Sequence, residues 1–426
     1  MNVTEIETLA ERTLEAEVGG ARLWMIPTEV RDVVSFRGSF QTAPDLTTDD
    51  DLAQHLVADL LDKGTQHRGR FAIAEALEGR GAQLFFYPDT LRVGFSGKVL
   101  KEDLPDVLAI LAEQLREPLL DPDEFAKEQA KAIAGVRHAM DSTAAQASGA
   151  LKRHLFSTDQ PNHVRSLEEE LAELEGLTVD QIKDYHAAHF GSDGLEITFA
   201  GDLDADIVTE AVRAHLGDWP AHGLAAKFAP DAETVTPARE SVSMAEKQNL
   251  DVRLGHILNL RRDDDDFLAL YVGNNVLGGN FSARLMQIVR DEMGLTYGIG
   301  SSLAGIAIEH TGYWRIDVSL SSENLKRGIK ATLEVVRDFV SSGITADELD
   351  EKKATIAGSH VVGLATTGGL AARLLVNAER GFPVSYLDEY PERVKALSLE
   401  EVNEAIENYL KPEALSTAVA GTMPEE

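Results

Sequence analysis

The chain of 426 residues contains no cysteine. That excludes disulfides, thiolate-bound zinc and cysteine nucleophiles, and it is compatible with any compartment. No uninterrupted apolar run reaches the roughly 18 residues that a membrane-spanning helix needs. Positive charge is scarce: 40 Lys and Arg stand against 72 Asp and Glu, for a formal net charge of −32. Binding to nucleic acid or anionic lipid needs clustered cations, so neither is an expected partner. The acid excess fits a high-salt surrounding, and it also fits a preference for basic peptides. The start, MNVTEIETLAERTLEAEVGG, lacks the basic stretch and apolar core of a secretory signal. The expected location is cytoplasmic, or periplasmic if the natural start carried a signal.

What is present is ordinary globular composition, with 43% hydrophobic and 26% charged residues. The length suffices for two domains, each with its own core. An internal repeat supports that division. The segment LTVDQIKDYHAAHFGSDGLEITFAGD at Leu177–Asp202 aligns without a gap with LSLEEVNEAIENYLKPEALSTAVAGT at Leu397–Thr422. Each reads as a capped helix, a short loop and a strand ending at Ala-Gly. Further matches follow in the same order. Asp49–Thr65 parallels Asp264–Asn280, Arg92–Val99 resembles Arg315–Ser322, and Asp121–Ala130 resembles Thr345–Ala354. We expect an N-terminal domain over 1–216, a linker with Pro220, Pro230 and Pro237 over 217–247, and a C-terminal domain over 248–426.

Alternation marks strands within each half. Leu84 and Phe86, then Arg92 to Phe95, flank a turn at Pro88-Asp89, and Trp314, Ile316, Val318 and Leu320 share one face. Apolar residues spaced for helices run through Leu104–Gln114 and Leu325–Phe339. The class expected is α+β, with helices packed on sheets.

His55-Leu56-Val57-Ala58-Asp59, followed by Asp62-Lys63-Gly64-Thr65, resembles the inverted zinc motif His-x-x-Glu-His and Lys-Gly-Thr turn of the pitrilysin/insulinase-type zinc peptidases. The resemblance, which is to the mitochondrial processing peptidase-like members, covers nearly the whole chain. It implies two homologous ferredoxin-like domains facing each other across a cleft, each an antiparallel sheet covered by helices on one face. In such a motif, histidines at i and i+4 share one helix face and one zinc ion. The glutamate before the second histidine acts as base on the zinc-bound water. By that resemblance this chain keeps His55, the first ligand. Ala58 stands at the base, Asp59 at the second histidine, Glu128 at the first glutamate of the family's later helix, and Gly135 at the third ligand. An alanine accepts no proton, so no catalytic residue of its own and no metal are expected in this chain. In a bland reading His55 and Asp59 simply edge the apolar stripe of Leu52, Leu56, Leu60 and Leu61.

The second half resembles the family's C-terminal signature: Gly278-Gly279-Asn280-Phe281-Ser282-Ala283-Arg284-Leu285, then Arg290, then Gly294-Leu295-Thr296-Tyr297. The resemblance implies that Arg290 and Tyr297 bind the substrate carbonyl and stabilise the tetrahedral intermediate, as donors aimed at developing negative charge do. Weaker features have simpler readings. Gly368-Gly369 lacks the ending of a phosphate loop and reads as a helix break or a substrate-side loop. Asp263–Asp266 has the wrong spacing for calcium and reads as a solvated helix start. Gln160-Pro161-Asn162 replaces a His-Pro-Tyr phrase of active relatives.

Three functions compete. The first is a non-catalytic subunit of a heterodimeric zinc metalloendopeptidase, supplying Arg290 and Tyr297 to a homologous zinc-bearing partner that acts on peptides. The second is an inactive homologue serving as a peptide-binding or scaffold component. The third is a hydrolase with rewired chemistry at His55, Asp59 and Glu128.

Overall fold

The structure, a computed structural model, describes residues 7–43, 51–225 and 227–424. Asp49 and Asp50, which open one of the repeat matches, lie outside the described residues. The first half runs α1 (Leu9–Arg12), β1 (Leu14–Val18), β2 (Ala21–Pro27), β3 (Val33–Gln41), α2 (Asp51–Leu60), α3 (Arg70–Glu78), β4 (Gln83–Pro88) and β5 (Arg92–Leu100). Helices α4 (Leu104–Arg116), α5 (Pro122–Met140), α6 (Thr143–Leu155), α7 (Leu167–Gly176) and α8 (Val179–His189) follow, then β6 (Leu195–Gly201) and α9 (Ala205–Leu216). The second half opens with β7 (Arg239–Ser243), β8 (Asn249–Leu258) and α10 (Phe267–Gly278), followed by a π-helical turn, Met286–Glu292. It continues through β9 (Thr296–Ala304), β10 (Gly312–Ser321), α11 (Leu325–Ser342), α12 (Ala346–Gly363), α13 (Thr367–Glu379), α14 (Ser385–Ala396), α15 (Leu399–Tyr409) and β11 (Ser416–Gly421).

The strands form two sheets, ordered β1-β2-β6-β3-β5-β4 and β7-β11-β8-β10-β9. Purely antiparallel sheets were expected, but each sheet holds one parallel pair, β2 with β6 and β7 with β11. The reason is topological. A parallel partner requires a long crossover, and the run of helices before β6 and before β11 supplies one.

The repeated segments fold alike. Thr178 and Ser398 cap α8 and α15, and each forms a reciprocal capping box, with Gln181 and Glu401 respectively. Gly201 and Gly421, which end β6 and β11, share a φ of 144°. A Cβ at Gly201 would sit 2.1 Å from the Val33 carbonyl oxygen, so both φ and space demand glycine there. One-turn helices Lys101–Asp103 and Ser322–Asn324 lead into α4 and α11. They shift the match of β5 with β10 by two residues from the sequence pairing, which leaves the facing of every side chain unchanged.

Among the described residues the chain packs as two compact units. Unit 1 comprises Met1–Ile133, Glu173–Lys227 and Ser359–Pro391, and unit 2 comprises Ala134–Ala172, Phe228–Gly358 and Glu392–Glu426. Each therefore draws on both halves of the sequence. Helix α13, from the second half, packs on β3 and β6 of unit 1. There Leu370, Ala371 and Leu374 meet Ile26 and Ala200. Burying each such leucine contributes about 2 kcal/mol. Polar contacts fix the helix in place: Ser35 with Thr367 at 2.8 Å, Ser39 with Glu379 at 2.5 Å, and the Thr198 hydroxyl donating to the Ala371 carbonyl at 2.8 Å.

Helix α6, from the first half, packs in the same way on β8 and β11 of unit 2. Leu151, Leu155 and Phe156 meet Tyr313 and Ala418, while Thr143 donates to Asp251 at 2.7 Å. The expectation of helices on one sheet face fails at the centre of the unit 1 sheet. Every residue of β6 is buried, because α13 covers one face while α4 and α9 pack on the unit 1 sheet at β5, β1 and β2.

Candidate functional site

The degenerate motif lies on α2 of unit 1. Leu52, Leu56, Val57, Ala58 and Leu60 turn into the core, and α2 packs against α8 and β4. His55 and Asp59 are on the exposed side. The His55 Nδ1–H donates to the Asp51 carbonyl at 2.6 Å, within the helix. Ala58, at the base position, is only 3% exposed, so no side chain there reaches a water. On α5, Glu128 is buried, and two ammonium groups hold it: Lys131 at 2.9 Å and Lys63, from the turn after α2, at 3.5 Å. Lys63 also pairs with Asp62 at 2.8 Å.

These charges set the titration. Desolvation raises the Asp59 carboxyl, with Glu128 adding to the rise and Lys131, His55 and Lys63 opposing it. Desolvation pushes Glu128 up as well, but the lysines outweigh it and hold the group below the usual carboxylate range. Gly135, two helical turns beyond Glu128, is exposed and offers no donor. Among the described residues no three His, Cys, Asp or Glu side chains converge on a point where a metal could sit. The donor set of His55, Asp59, Glu128 and Gly135 does not fit a zinc ion, which needs three protein ligands beside its water.

Unit 2 holds the second candidate. The Gly278-Gly279 turn is a close approach, since a Cβ on Gly278 would lie 2.4 Å from the Ser301 nitrogen of β9. A buried polar network clamps β9 there. Ser301 Oγ donates to Asn274 Oδ1 at 2.5 Å and accepts from Trp314 Nε1 at 2.7 Å. Asn280 caps Ser282, and the buried Lys352 ammonium bonds the Ser282 hydroxyl at 2.7 Å. Arg284 grips Glu348 with two bonds of 2.7 Å and also donates to the Gly343 carbonyl. The Arg284 hydrogen bonds, aided by the Thr345 backbone, drive the Glu348 carboxyl down to about 2 despite partial burial.

From this frame the π-helical turn presents Arg290, and Gly294, with φ of 63°, reverses the chain into β9. π-Helical turns often occur at functional positions. The Arg290 Nε donates to the Tyr297 carbonyl at 3.0 Å and Nη1 pairs with Asp291 at 2.8 Å. The guanidinium lies 6.0 Å from the ring centroid of Phe281, itself 78% exposed. Tyr297 is 95% exposed, and its hydroxyl has no partner among the described residues. The two signature residues are thus brought together, with the arginine fixed and the phenol presented to solvent.

Other sequence features find structural roles. Gly368-Gly369 lies in the first turn of α13 and forms no separate loop. A Cβ on Gly369 would meet the Gly363 carbonyl at 2.1 Å where the chain bends by 110° from α12. Asn162, of the replaced phrase, is buried and ties a loop by donating to the Gly305 and Thr311 carbonyls at 3.0 and 2.9 Å. The Asp263–Asp266 run precedes α10, where Asp266 accepts from the Tyr409 hydroxyl at 3.0 Å. Sequence reasoning did not place Lys131 at Glu128, nor the contacts that Phe281 and Arg284 of the signature make with Arg290 and Glu348. Alternating charges three and four residues apart on α5 were the available signal for Lys131.

Two family models match the chain. Residues 52–165 match the family model described as insulinase (peptidase family M16), and residues 176–356 match the one described as the peptidase M16 inactive domain. A "non-peptidase homolog YmxG" of Helicobacter pylori is 24% identical over 87% of this chain and 84% of its own length. An "uncharacterized zinc protease YmxG" of Bacillus subtilis is 25% identical over 82% of this chain and 83% of its own. The solved structure of a peptidase M16 inactive domain from Pseudomonas fluorescens superposes with a TM-score of 0.86 at 22% identity, covering 97% of this chain and 98% of that one. The chain belongs to the insulinase-type M16 peptidase family, as a degenerate member without an intact His-x-x-Glu-His motif.

Proposed function

We propose that this chain is the zinc-less subunit of a two-chain metalloendopeptidase, and that it supplies Arg290 and Tyr297 to a homologous partner that carries the zinc. The observation that carries this reading is the state of Tyr297: an almost fully exposed phenol, backed by a pinned arginine, with no work inside its own unit. A solvent-facing donor beside a guanidinium suits a peptide carbonyl as it gains charge. Zinc, the water it activates and the base all belong to the partner, since Ala58 can move no proton. The substrate is a peptide, and the charge of −32 favours a basic one.

The test is cleavage of a quenched fluorescent peptide by this chain, by a zinc-bearing homologue, and by the two mixed. Turnover only in the mixture, abolished by a chelator, is the expected result. Chelator-sensitive turnover by this chain alone would overturn it. No gain on mixing would leave the scaffold reading, in which the Arg290–Tyr297 pair is merely inherited.

A further inference from the structure

The face of the unit 2 sheet that α6 covers carries a small group of charges. Strand β10 turns Tyr313 toward Leu151 and Leu155 of α6, so Arg315 and Asp317, two and four residues on, share that face. Arg253 of β8 joins them. Its guanidinium pairs with Asp317 at 2.8 Å and with Asp251 at 3.2 Å, and it donates to the Ser148 hydroxyl of α6 at 3.1 Å. Arg315 pairs with Asp317 at 3.0 Å. Lys152, on α6, stands close enough to Arg315 to be repelled by it. Among the described residues its ammonium makes no ion pair and no hydrogen bond, and no carboxylate offsets the repulsion. Three cations thus meet two carboxylates, and the amine is left over. In a chain where acids outnumber bases 72 to 40, that local excess is a feature of this face alone and not of the overall charge.

We propose that Lys152 and Arg315 form a binding site for a carboxylate ligand on the α6 face of unit 2. A partly buried charge needs a counter-charge, or it costs stability. The chain supplies none for Lys152, and a ligand anion fills that role. Burial, and after it Arg315, lowers the proton affinity of the amine, and an incoming anion relieves both effects. Ser302 of β9 lies directly across from Arg315, and its Oγ is buried without a hydrogen-bond partner. A free donor therefore stands beside the guanidinium. On the other flank Gly255 of β8 faces Arg315 and brings no side chain. A Cβ there would lie 3.0 Å from Leu151, which closes that side with an apolar wall. The Arg315 side chain keeps 30% of its surface exposed, so a ligand reaches it from solvent. The excess of one positive charge decides the class of anion. A carboxylate matches it, whereas a phosphate brings further negative charge against Asp317. A peptide terminus and a small free acid share this chemistry. The inference concerns unit 2 alone and does not depend on the proposed partner.

Fluorescence anisotropy with the full chain at neutral pH tests it. The probe is a dye-labelled peptide of alanine and glycine with a free C-terminal carboxylate. The competitors are the same peptide unlabelled, its C-terminal amide, sodium acetate and inorganic phosphate. Saturable binding is expected, with the free acid displacing the probe about tenfold better than the amide or phosphate. Displacement by acetate as well identifies any small acid as the ligand, and displacement by the peptide acid alone identifies the peptide terminus. Lys152→Met should weaken binding about tenfold, the effect of losing a charge-assisted hydrogen bond, while Lys152→Arg, which keeps the charge, should stay within about threefold. Lys152→Met also removes an unpaired, partly buried charge, so its urea midpoint should not fall, which separates lost binding from lost folding. If that variant does not fold, Lys152→Gln carries the same comparison. No saturable binding, equal displacement by acid and amide, or unchanged affinity without the Lys152 charge overturns the proposal.

Discussion

The α2–α5 face of unit 1 and the Arg290–Tyr297 turn of unit 2 carry the two halves of one family signature, and they have diverged in opposite ways. On the α2–α5 face the motif positions have been absorbed into structure. Ala58 is core, His55 donates to its own helix, and the Glu128 carboxylate is neutralised by lysines. In unit 2 the structure serves presentation: a clamped β9, a clasped Arg284 and a pinned Arg290 stand behind a phenol that is 95% exposed. Substituting a functional residue should therefore be nearly silent on the first face and costly on the second.

The largest test of that contrast is Arg290→Ala in the mixed peptidase assay. Turnover should fall about 10²- to 10³-fold, as for loss of a donor to a developing oxyanion. His55→Ala in the same assay should change it less than about twofold, since among the described residues the side chain bonds within its own helix. A large effect of His55→Ala would break the comparison.

Next is Arg284→Ala, which removes both 2.7 Å bonds to Glu348 and leaves a partly buried carboxylate with only its Thr345 donors among the described residues. A loss of about 2 kcal/mol in urea unfolding is expected, allowing for solvent screening. The pH dependence follows the same pair. Glu348 titrates lower in the folded chain, so its contribution is full above the unfolded carboxylate range. It is lost as pH falls from about 4.5 toward about 2. In Arg284→Ala that acid-side loss should shrink, as urea midpoints at pH 5 and pH 3 would reveal.

His256 gives a smaller effect of related origin. It is 6% exposed, with Nδ1 donating to the Ile257 carbonyl at 2.8 Å and Nε2 accepting from the Lys411 backbone N–H at 3.0 Å. Burial holds its proton affinity down, so the folded chain prefers the neutral ring. Stability from this source is present above the ordinary histidine range and declines as pH drops below it. His256→Gln should flatten the melting temperature between pH 7.5 and pH 5.5 by a few degrees, equivalent to about 1 kcal/mol.

The smallest test addresses what the halves still share. Thr178→Ala and Ser398→Ala each remove one side of a capping box and should each cost about 1 kcal/mol. Unequal costs would mean that the repeated segments have drifted in energetics as well as in sequence.

How much of this could be read in advance depended on the range of the interactions. The capped helices α8 and α15 and the strands β6 and β11 were legible, because caps, periodicity and the terminal glycines act within a few residues. The buried face of β10 was legible for the same reason, with Trp314, Ile316, Val318 and Leu320 alternating as expected. The parallel pairs and the second covered sheet face were not, since Thr198 meets Ala371 across 173 positions of chain. At the site, the residue types at 55, 58, 59, 290 and 297 were plain in the sequence. The lysine neutralisation of Glu128 and the exposure of Tyr297 came only with packing.

The exchange of α6 and α13 has a consequence for biosynthesis. The sheet of unit 1 cannot be covered by α13 until Thr367–Glu379 has left the ribosome, although its strands end at Gly201. For most of translation the residues that α13 later covers, Ile26 and Ala200 among them, stand unprotected on a nascent polypeptide. Early termination anywhere between these points leaves a sticky half-product, so this chain should lean on chaperones throughout its synthesis.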